Sequence, residues 1–193
     1  MNYLAHSYLS CNSEELLIGN LVTDLIAKKD ELHYSEAIRD GINLHRKIDD
    51  YTDNHRLVRK SLDLIRPSQG KYAPVVLDIL WDYFLCKNWS VYSSEDLQDF
   101  SNGVYKILQK NYDSIQEKVV IRFTSMISHN FLMSCASKQA LKHTFGHLNK
   151  RVRFVANFEE AAEIVTTYEK ELNSNFTLFF SEMLAYVESI CEC

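Results

Sequence analysis

The sequence predicts a single all-α domain, and three observations support this prediction. The 193 residues include only five glycines and two prolines, too few for the many tight turns of a β-sandwich or barrel. Apolar residues make up 46% of the chain and recur at helical spacing between polar capping residues. No repeat, low-complexity tract or linker divides the sequence, so residues 1–193 are predicted to form one compact helical domain.

The individual helices follow from capping residues and apolar spacing. Asn12 or Ser13, followed by two glutamates, starts a helix that should run to about Lys28. Ser35 starts a second helix, and the glycine within it, Gly41, is expected to make a close packing contact. Further helices are predicted over residues 54–65, 71–88, 94–112, 114–129, 137–150 and 157–193. The last helix should bury Phe176, Phe179, Phe180, Met183 and Tyr186.

Charge and composition exclude several functional classes. A net charge of −5 argues against general nucleic-acid binding. No uncharged apolar run approaches the ~20 residues of a membrane span, and the N-terminus lacks the basic opening and apolar core of a signal peptide. The five cysteines are odd in number and include no C-x-x-C pair, which predicts reduced thiols in a cytoplasmic protein.

Three pairs of polar side chains lie within apolar helical stretches of the first half of the chain. They are Asn20 and Asp24, His45 and Asp49, and Asp78 and Asp82. The members of each pair are four residues apart, about one helical turn, so each pair projects from one face. Carboxylates that face a core are costly unless they are paired, protonated or bound to metal. The pairs therefore predict helices that converge on a polar, metal-binding centre.

Mixed imidazole and carboxylate ligands define the chemistry of such a centre. They suit Mn²⁺, Fe²⁺ or Zn²⁺, and the metal would serve mainly hydrolysis, by polarising a phosphoryl oxygen and lowering the pKa of bound water. Structural alternatives exist: Asp49 could pair with Arg46 or Lys47. Asp53, four residues further on, could cap the next helix. His6 stands alone in an apolar stretch, where a histidine is more often a hydrogen-bonded core residue than a ligand.

Four segments together resemble the acyl carrier protein phosphodiesterase family, also called acyl carrier protein hydrolase. They are NYLAHSYLS near the N-terminus, GNLVTD, GINLHRKIDDYTDNH and LDILWDYFLCKNW, in the family's order and spacing over about the first 90 residues. The resemblance implies hydrolysis of the phosphodiester that joins 4′-phosphopantetheine to a serine of holo-acyl carrier protein, with Mn²⁺ as the favoured metal. It also implies a helical fold distantly similar to the HD phosphohydrolases.

The resemblance also implies the residues of the site. The family pattern matches His6, Asp24, His45, Asp49, Asp78, Asp82 and Trp89. On this basis we expect Asp24, His45 and Asp78 to hold the metal. One position departs from the pattern, because family members often have histidine where this chain has Tyr83.

The remaining matched residues are expected to act in proton transfer and orientation. Asp49 or Asp82 should orient a ligand or the attacking water, and His6 should help to protonate the leaving oxygen. The expected catalytic residues are therefore His6, Asp24, Asp49 and Asp82, and Asp24 is also an expected metal ligand.

An acidic carrier protein as substrate predicts a basic docking patch on this acidic chain. The expected patch follows the candidate site in sequence and consists of Arg56, Arg59, Lys60, Arg66 and Lys71, with Arg151 and Arg153 as a second choice. Two other functions remain open from the sequence. One is a related phosphohydrolase acting on a nucleotide or another small phosphodiester, and the other is a non-catalytic helical module that binds a carrier protein.

Overall fold

The chain folds into helices in a computed structural model that describes residues 2–149 and 158–191. The ten α-helices of these residues are α1 (Tyr3–Tyr8), α2 (Glu14–Val22), α3 (Glu36–Asn54), α4 (Arg56–Gln69), α5 (Ala73–Lys87), α6 (Trp89–Tyr92), α7 (Leu97–Lys110), α8 (Glu117–Ser128), α9 (Lys138–Asn149) and α10 (Phe158–Ile190). Short 3-10 helices span Thr23–Leu25, Lys28–His33, Gly70–Tyr72, Tyr112–Ser114 and Phe131–Met133. The described residues contain no β-strand, so the all-α prediction is confirmed.

Three local differences from the predicted helices affect the first half of the chain. The short helix α1 was not predicted, although it carries His6. Helix α2 ends at Val22 and not near Lys28, and the hydroxyl of Thr23 donates to the carbonyl oxygen of Gly19 at 2.8 Å, a side-chain bond that competes with the helical ladder. Helix α4 continues through Pro67, because a proline in the exposed last turn removes only one backbone donor.

Two glycines let α2 and α3 approach backbone to backbone. A Cβ atom on Gly19 would lie 2.0 Å from the carbonyl oxygen of Ile38, and one on Gly41 would lie 2.4 Å from the carbonyl oxygen of Leu16. No real Cβ atom tolerates such distances, so only glycine fits at this crossing. The close contact predicted at Gly41 is confirmed. It fixes the position of α2 relative to α3, and the candidate site residues Asn20 and His45 follow the two glycines within one helical turn.

Helices α5 and α10 form the centre of the core. Most of α5 is buried, and Trp81 lies with its ring centroid 4.3 Å from that of Phe179 in α10. The predicted buried face of α10 is confirmed for Phe176, Phe179, Phe180 and Met183, which are all fully buried. The fifth predicted member, Tyr186, is half-buried and stacks on Tyr51 of α3 at 4.4 Å. Aromatic packing therefore ties the last helix to the helix that carries His45.

Two further sequence predictions concern the cysteines and the membrane. Cys86, Cys135 and Cys191 are free thiols, but Cys11 is disulfide-bonded, so the prediction of five reduced thiols is wrong at that position. None of the helices in residues 2–149 and 158–191 has the length and apolarity that crossing a membrane requires.

Candidate active site

Two stacked imidazoles and one carboxylate form the centre of the candidate site. The rings of His6 in α1 and His45 in α3 lie 4.1 Å apart with an angle of 11° between their planes. Both Nε2 atoms face Asp49, one turn after His45: His6 Nε2 lies 3.3 Å from Asp49 Oδ1, and His45 Nε2 lies 3.1 Å from Oδ2. These three residues each offer one ligand atom within 4.8 Å of the other two. A group of this composition could hold a metal ion.

Asn20 lies behind the two imidazoles. It is fully buried in α2, one residue after Gly19, and its side-chain oxygen lies 2.7 Å from His6 Nδ1. Its main-chain oxygen lies 2.7 Å from His45 Nδ1. The helix crossing at Gly19 and Gly41 thus brings a hydrogen-bonding partner to both histidines. Asn20 was expected as a member of a spaced pair, but its contacts to both rings could not be read from the sequence.

Asp24 lies at the open edge of the site. Its Oδ1 is 3.4 Å from His45 Nε2, and 61% of its side chain is exposed. Because α2 ends before this residue, Asp24 belongs to the 3-10 helix Thr23–Leu25 and points to solvent. The prediction that the spaced carboxylates face the core is therefore wrong for Asp24, which is positioned instead where a substrate and water can reach it.

The charges at the centre are strongly coupled. Burial lowers the pKa of His6 to about 4, although Asp49 opposes this shift. Burial would also lower the pKa of His45, but the contacts with Asp24 and Asp49 raise it to about 9. Burial would raise the pKa of Asp49, yet the contacts with His45 and His6 hold it well below its usual range. The positive charge of protonated His45 therefore lies between the carboxylates of Asp24 and Asp49.

Asp78 and Asp82 lie on α5 behind this centre. The pKa of half-buried Asp78 is raised mainly by burial and also by the nearby negative charge of Asp49. Asp82 is 5% exposed, and burial raises its pKa to about 7 against the opposing effect of the backbone amides of Leu4 and Ala5. Neither residue belongs to the group formed by His6, His45 and Asp49. Asp82 instead faces the first turn of α1, the helix that holds His6.

The structure decides some of the alternatives that the sequence left open, whereas the pairing of Asp49 with Lys47 stays a prediction. Arg46 forms an ion pair with Glu31, so the pairing of Asp49 with Arg46 is wrong. The side chain of His55 caps α4 by accepting from the backbone amide of Leu57, and Asp53 does not take that position. His6, which could have been an ordinary core residue, has a fully buried Nε2 atom without a hydrogen bond.

Tyr83 and Trp89 lie apart from the two histidines. The hydroxyl of Tyr83 donates to Glu169 at 3.4 Å, and the indole nitrogen of Trp89 donates to the carbonyl oxygen of Glu95 at 2.7 Å. Both side chains are buried. They contribute to the core, and the Tyr83 position contributes no hydrogen bond to the candidate site in this chain.

The expected basic patch lies on the surface of α4 and the turn after it. Its five members, Arg56, Arg59, Lys60, Arg66 and Lys71, are all exposed. Three of them pair with acidic residues: Arg56 with Glu182, Lys60 with Glu171 and Arg66 with Asp63. These pairs reduce the positive potential that a partner would meet, so the patch is weaker than the sequence suggested. The second choice, Arg151 and Arg153, lies outside the described residues.

One residue near the site was missed by the sequence reasoning. Burial, and then the charge of Asp24, raise the pKa of the Tyr3 phenol to about 12. Tyr3 therefore lies near the exposed carboxylate and keeps its proton at neutral pH. The signal available in the sequence was its place three residues before His6.

Replacement of Asp82 by asparagine should remove a pH dependence of stability. Above pH 3.8 the carboxyl of the unfolded chain ionises, whereas the folded one stays protonated until about pH 7. The unfolded state then binds fewer protons, so the free energy of unfolding falls across this window, by up to roughly 4 kcal/mol. Asparagine presents the same oxygen to α1 without a charge. Urea unfolding with chelator at pH 5 and pH 8 should show a smaller difference for Asp82→Asn than for wild type.

The exposed Asp99 of α7 provides the matched control for this comparison. Asp99→Asn should leave the difference between pH 5 and pH 8 at its wild-type size. An Asp82→Asn protein with the full wild-type pH dependence would show that another group causes it.

Comparison with known proteins gives a consistent result. The sequence profile described as acyl carrier protein phosphodiesterase matches residues 1–183. A Klebsiella pneumoniae protein of that name is 27% identical over 191 residues, 98% of both chains. Proteins of the same name from Photorhabdus laumondii and Escherichia coli O139:H28 are 42% identical over 89 residues and 39% identical over 101 residues. These segments cover 46% of this chain and 45% of the Photorhabdus protein, and 52% of both chains in the Escherichia comparison.

No solved structure matches the chain. The profile match, however, extends over nearly all of the sequence and includes every residue of the His6, His45 and Asp49 centre. The chain belongs to the acyl carrier protein phosphodiesterase family, a family of phosphodiester hydrolases.

Proposed function

We propose that the protein hydrolyses the phosphodiester between 4′-phosphopantetheine and a serine of holo-acyl carrier protein, in a reaction that depends on a divalent metal. The observation that carries this proposal is the convergence of His6 and His45 on Asp49 in a chain of this family. The phosphodiester is anionic, and its hydrolysis places further negative charge on the leaving serine oxygen. A site that collects acidic and imidazole ligands around one point suits a cation that offsets this charge.

The residues present fit Mn²⁺ as the proposed metal. Buried His6 Nε2 has no hydrogen bond, and such an atom is well explained as a ligand position. The negative charge of Asp49 contributes to the raised pKa of Asp78, and it opposes the lowering of the Asp24 pKa. The three carboxylates therefore repel one another. A divalent ion would relieve this repulsion. Two imidazoles with carboxylate oxygens form a donor set that suits Mn²⁺, Fe²⁺ or Zn²⁺.

The roles that we propose within the site differ from the sequence expectation at His6, Asp24 and Asp49. An imidazole whose pKa is lowered to about 4 carries no acidic proton at neutral pH, so His6 is a better ligand than a proton donor. We propose that His6, His45 and Asp49 hold the metal, with Asp78 as a further carboxylate close to Asp49. When bound, the metal would polarise the phosphoryl oxygen and lower the pKa of water.

The exposed carboxylate of Asp24 is proposed to orient the attacking water. It lies beside His45, and the contact with that ring is the main cause that lowers its pKa. It is therefore ionised and able to accept a hydrogen bond from the attacking water. Asp82 is proposed to act indirectly, because its buried carboxyl faces the amides of Leu4 and Ala5 in the helix that holds His6. The catalytic role expected for Asp82 is thus replaced by a positioning role.

Incubation of the purified protein with holo-acyl carrier protein and Mn²⁺ tests the proposed function. The expected result is a carrier protein that loses the mass of 4′-phosphopantetheine, and no loss after chelation of the metal. Retention of the full mass, together with hydrolysis of a nucleotide, would favour the related phosphohydrolase. Binding of the carrier without cleavage of either substrate would favour the non-catalytic module.

Charge reversal in the basic patch should weaken the use of carrier protein. Arg59 forms no side-chain ion pair or hydrogen bond within the part of the chain that the structure describes, so we select it together with Lys71. Exposed charge pairs contribute up to about 1 kcal/mol each, so Arg59→Glu with Lys71→Glu should raise KM by about tenfold at low salt. The kcat value and the affinity for Mn²⁺ should stay unchanged.

Reversal of Lys106, an exposed lysine of α7, is the matched control for the patch. Lys106→Glu changes the net charge in the same direction but should leave KM near its wild-type value. Equal KM values for the patch variant and wild type, across a salt series, would contradict docking at α4.

Two broader features belong to the same proposal. Cytoplasmic location is proposed from the three free thiols, Cys86, Cys135 and Cys191, and the disulfide at Cys11 is the observation that counts against it. A distant similarity to the HD phosphohydrolases is proposed from the helical fold with a histidine and aspartate metal set. Here, however, His45 and Asp49 are four residues apart on α3 and not adjacent in sequence.

A further inference from the structure

The hydrogen bonds around Asn20 leave only one orientation for its side-chain amide. The Nδ2 atom lies 2.9 Å from the carbonyl oxygen of His6 and 3.1 Å from the hydroxyl of Ser10. That carbonyl oxygen can only accept a hydrogen bond, and the Ser10 hydroxyl already donates its own hydrogen to it at 2.7 Å. Both neighbours of Nδ2 therefore accept from it, and the Oδ1 atom must be the one that faces His6 Nδ1.

This orientation determines where the proton on each imidazole lies. Oδ1 of Asn20 is an acceptor, so His6 Nδ1, 2.7 Å away, must carry a hydrogen. The main-chain oxygen of Asn20 is also an acceptor, so His45 Nδ1 must carry a hydrogen as well. A neutral imidazole has only one N–H, and the other nitrogen of each neutral ring then holds a lone pair.

We propose that Asn20 is a positioning residue that keeps a hydrogen on Nδ1 of both histidines, so that the Nε2 atoms, which face Asp49, are the ligand nitrogens of both rings. The side chain acts on His6 and the main chain acts on His45, from a single buried position in α2. A ligand imidazole that donates its second N–H to a carbonyl oxygen has a fixed ring orientation and a more basic ligand nitrogen. The meaning of this arrangement for hydrolysis rests on the proposed function, but the tautomer itself does not.

The contact between His6 and Asp49 shows what the assigned tautomer places beside the carboxylate. Nε2 of His6 lies 3.3 Å from Asp49 Oδ1 and yet makes no hydrogen bond, although both atoms are near. Asn20 therefore holds His6 in a tautomer whose lone pair faces an anion, an arrangement that becomes favourable when a cation lies between them.

Replacement of Asn20 by leucine removes the side-chain contact to His6 and keeps the main-chain contact to His45. Leucine has a similar size but no acceptor, so His6 should change to the Nε2–H tautomer and donate to Asp49. His45 should stay protonated on Nδ1, because its partner is the main-chain oxygen of residue 20. Loss of an outer partner of a metal ligand typically weakens metal affinity by about 10- to 100-fold, and we expect Mn²⁺ binding to Asn20→Leu to weaken within that range.

Nitrogen-15 NMR of the metal-free protein at pH 7.5 reads the tautomers without any catalytic assay. Long-range proton–nitrogen correlations identify the N–H and lone-pair nitrogens of each ring, and the signals that disappear in His6→Gln assign His6. Ser10→Ala is the matched control, since it removes the neighbouring hydroxyl but leaves the contact between Asn20 Oδ1 and His6 Nδ1 in place. His6 should be protonated on Nδ1 in wild type and in Ser10→Ala, and on Nε2 in Asn20→Leu.

The wild-type spectrum alone can overturn the proposal. An N–H on His6 Nε2 in wild type would do so even if Asn20→Leu failed to fold, and so would an Asn20→Leu protein whose His6 remains protonated on Nδ1. A switched tautomer with unchanged affinity for Mn²⁺, measured by calorimetry, would remove His6 from the ligand set and overturn the positioning role. The expected tautomers in a protein that does not cleave holo-acyl carrier protein would support the positioning role and count against the proposed function only.

Discussion

Gly19→Ala should destabilise the protein by about 3 kcal/mol or more, although alanine is the better helix former. The intrinsic preference for alanine over glycine within a helix amounts to about 1 kcal/mol. Against this gain, the new Cβ atom would lie 2.0 Å from the carbonyl oxygen of Ile38 and 2.7 Å from the Cα atom of Gly41. Both contacts are with backbone, which cannot rotate away as a side chain can, so α2 and α3 must move apart.

The same substitution should also reduce metal affinity. Asn20 follows Gly19 directly, and His45 lies one turn after Gly41, so the crossing fixes the distance between them. Moving the helices apart lengthens the 2.7 Å contact between His45 Nδ1 and the main-chain oxygen of Asn20. Chemical denaturation measures the loss of stability, and calorimetry with Mn²⁺ on protein that remains folded measures the loss of affinity.

Gly103 in α7 provides the matched control, because a Cβ atom there would meet nothing within 4 Å. Gly103→Ala should therefore raise the free energy of unfolding by up to about 1 kcal/mol. If Gly19→Ala proved as stable as Gly103→Ala, the backbone contact between α2 and α3 would not exist in solution.

The all-helical fold could be predicted because the signals that determine it are local. Caps such as Ser13 and Ser35 start α2 and α3 where the sequence indicates, and both side chains accept from backbone amides in the first turn. The end of α2 was not predictable in the same way. The short apolar stretch before Lys28 is compatible with a longer helix, and only the structure shows the backbone turning to an extended conformation at Ile26.

The candidate site was partly predictable for the same reason. His45 and Asp49 lie on one face of one helix, so their spacing alone brings them together. The stacking of His6 on His45 depends on how α1 packs against α2 and α3, and no local pattern encodes that distance. For Asp82 the spacing alone was misleading. It lies one helical turn after Asp78, but its carboxyl faces the backbone of α1.

These contacts make Asp49 the one carboxylate shared by both imidazoles among the described residues. Its two oxygens face two different rings, 3.3 Å and 3.1 Å away, so the side chain cannot turn without losing one of them. Of the two imidazoles, Asp24 contacts that of His45, and it is more exposed than Asp49. Loss of the shared carboxylate should therefore have the larger effect on both metal binding and turnover.

Asp49→Asn should weaken Mn²⁺ binding and lower kcat/KM by at least about 100-fold, a loss of about 2.7 kcal/mol in transition-state stabilisation. Asparagine keeps the size of the side chain but loses its charge, and its NH₂ group must face one of the two imidazoles. That group donates to a lone pair that would otherwise bind the metal. Metal content after dialysis and the rate of carrier-protein cleavage measure the two effects.

The metal-free protein offers a second measurement on the same variant. His45 has a pKa raised to about 9 from 6.5, and part of that rise comes from Asp49, so its pKa should fall in Asp49→Asn. Stability that derives from a raised histidine pKa is fully present below pH 6.5 and is lost as the pH rises through 9. The variant should therefore be destabilised most at low pH within this window.

Asp50→Asn is the matched control, because it changes the exposed neighbouring carboxylate, which accepts a hydrogen bond from Asn54. This variant should alter neither metal affinity nor the His45 titration. Wild-type Mn²⁺ affinity in Asp49→Asn would mean that the metal binds elsewhere, since no other carboxylate in the described residues contacts both His6 and His45.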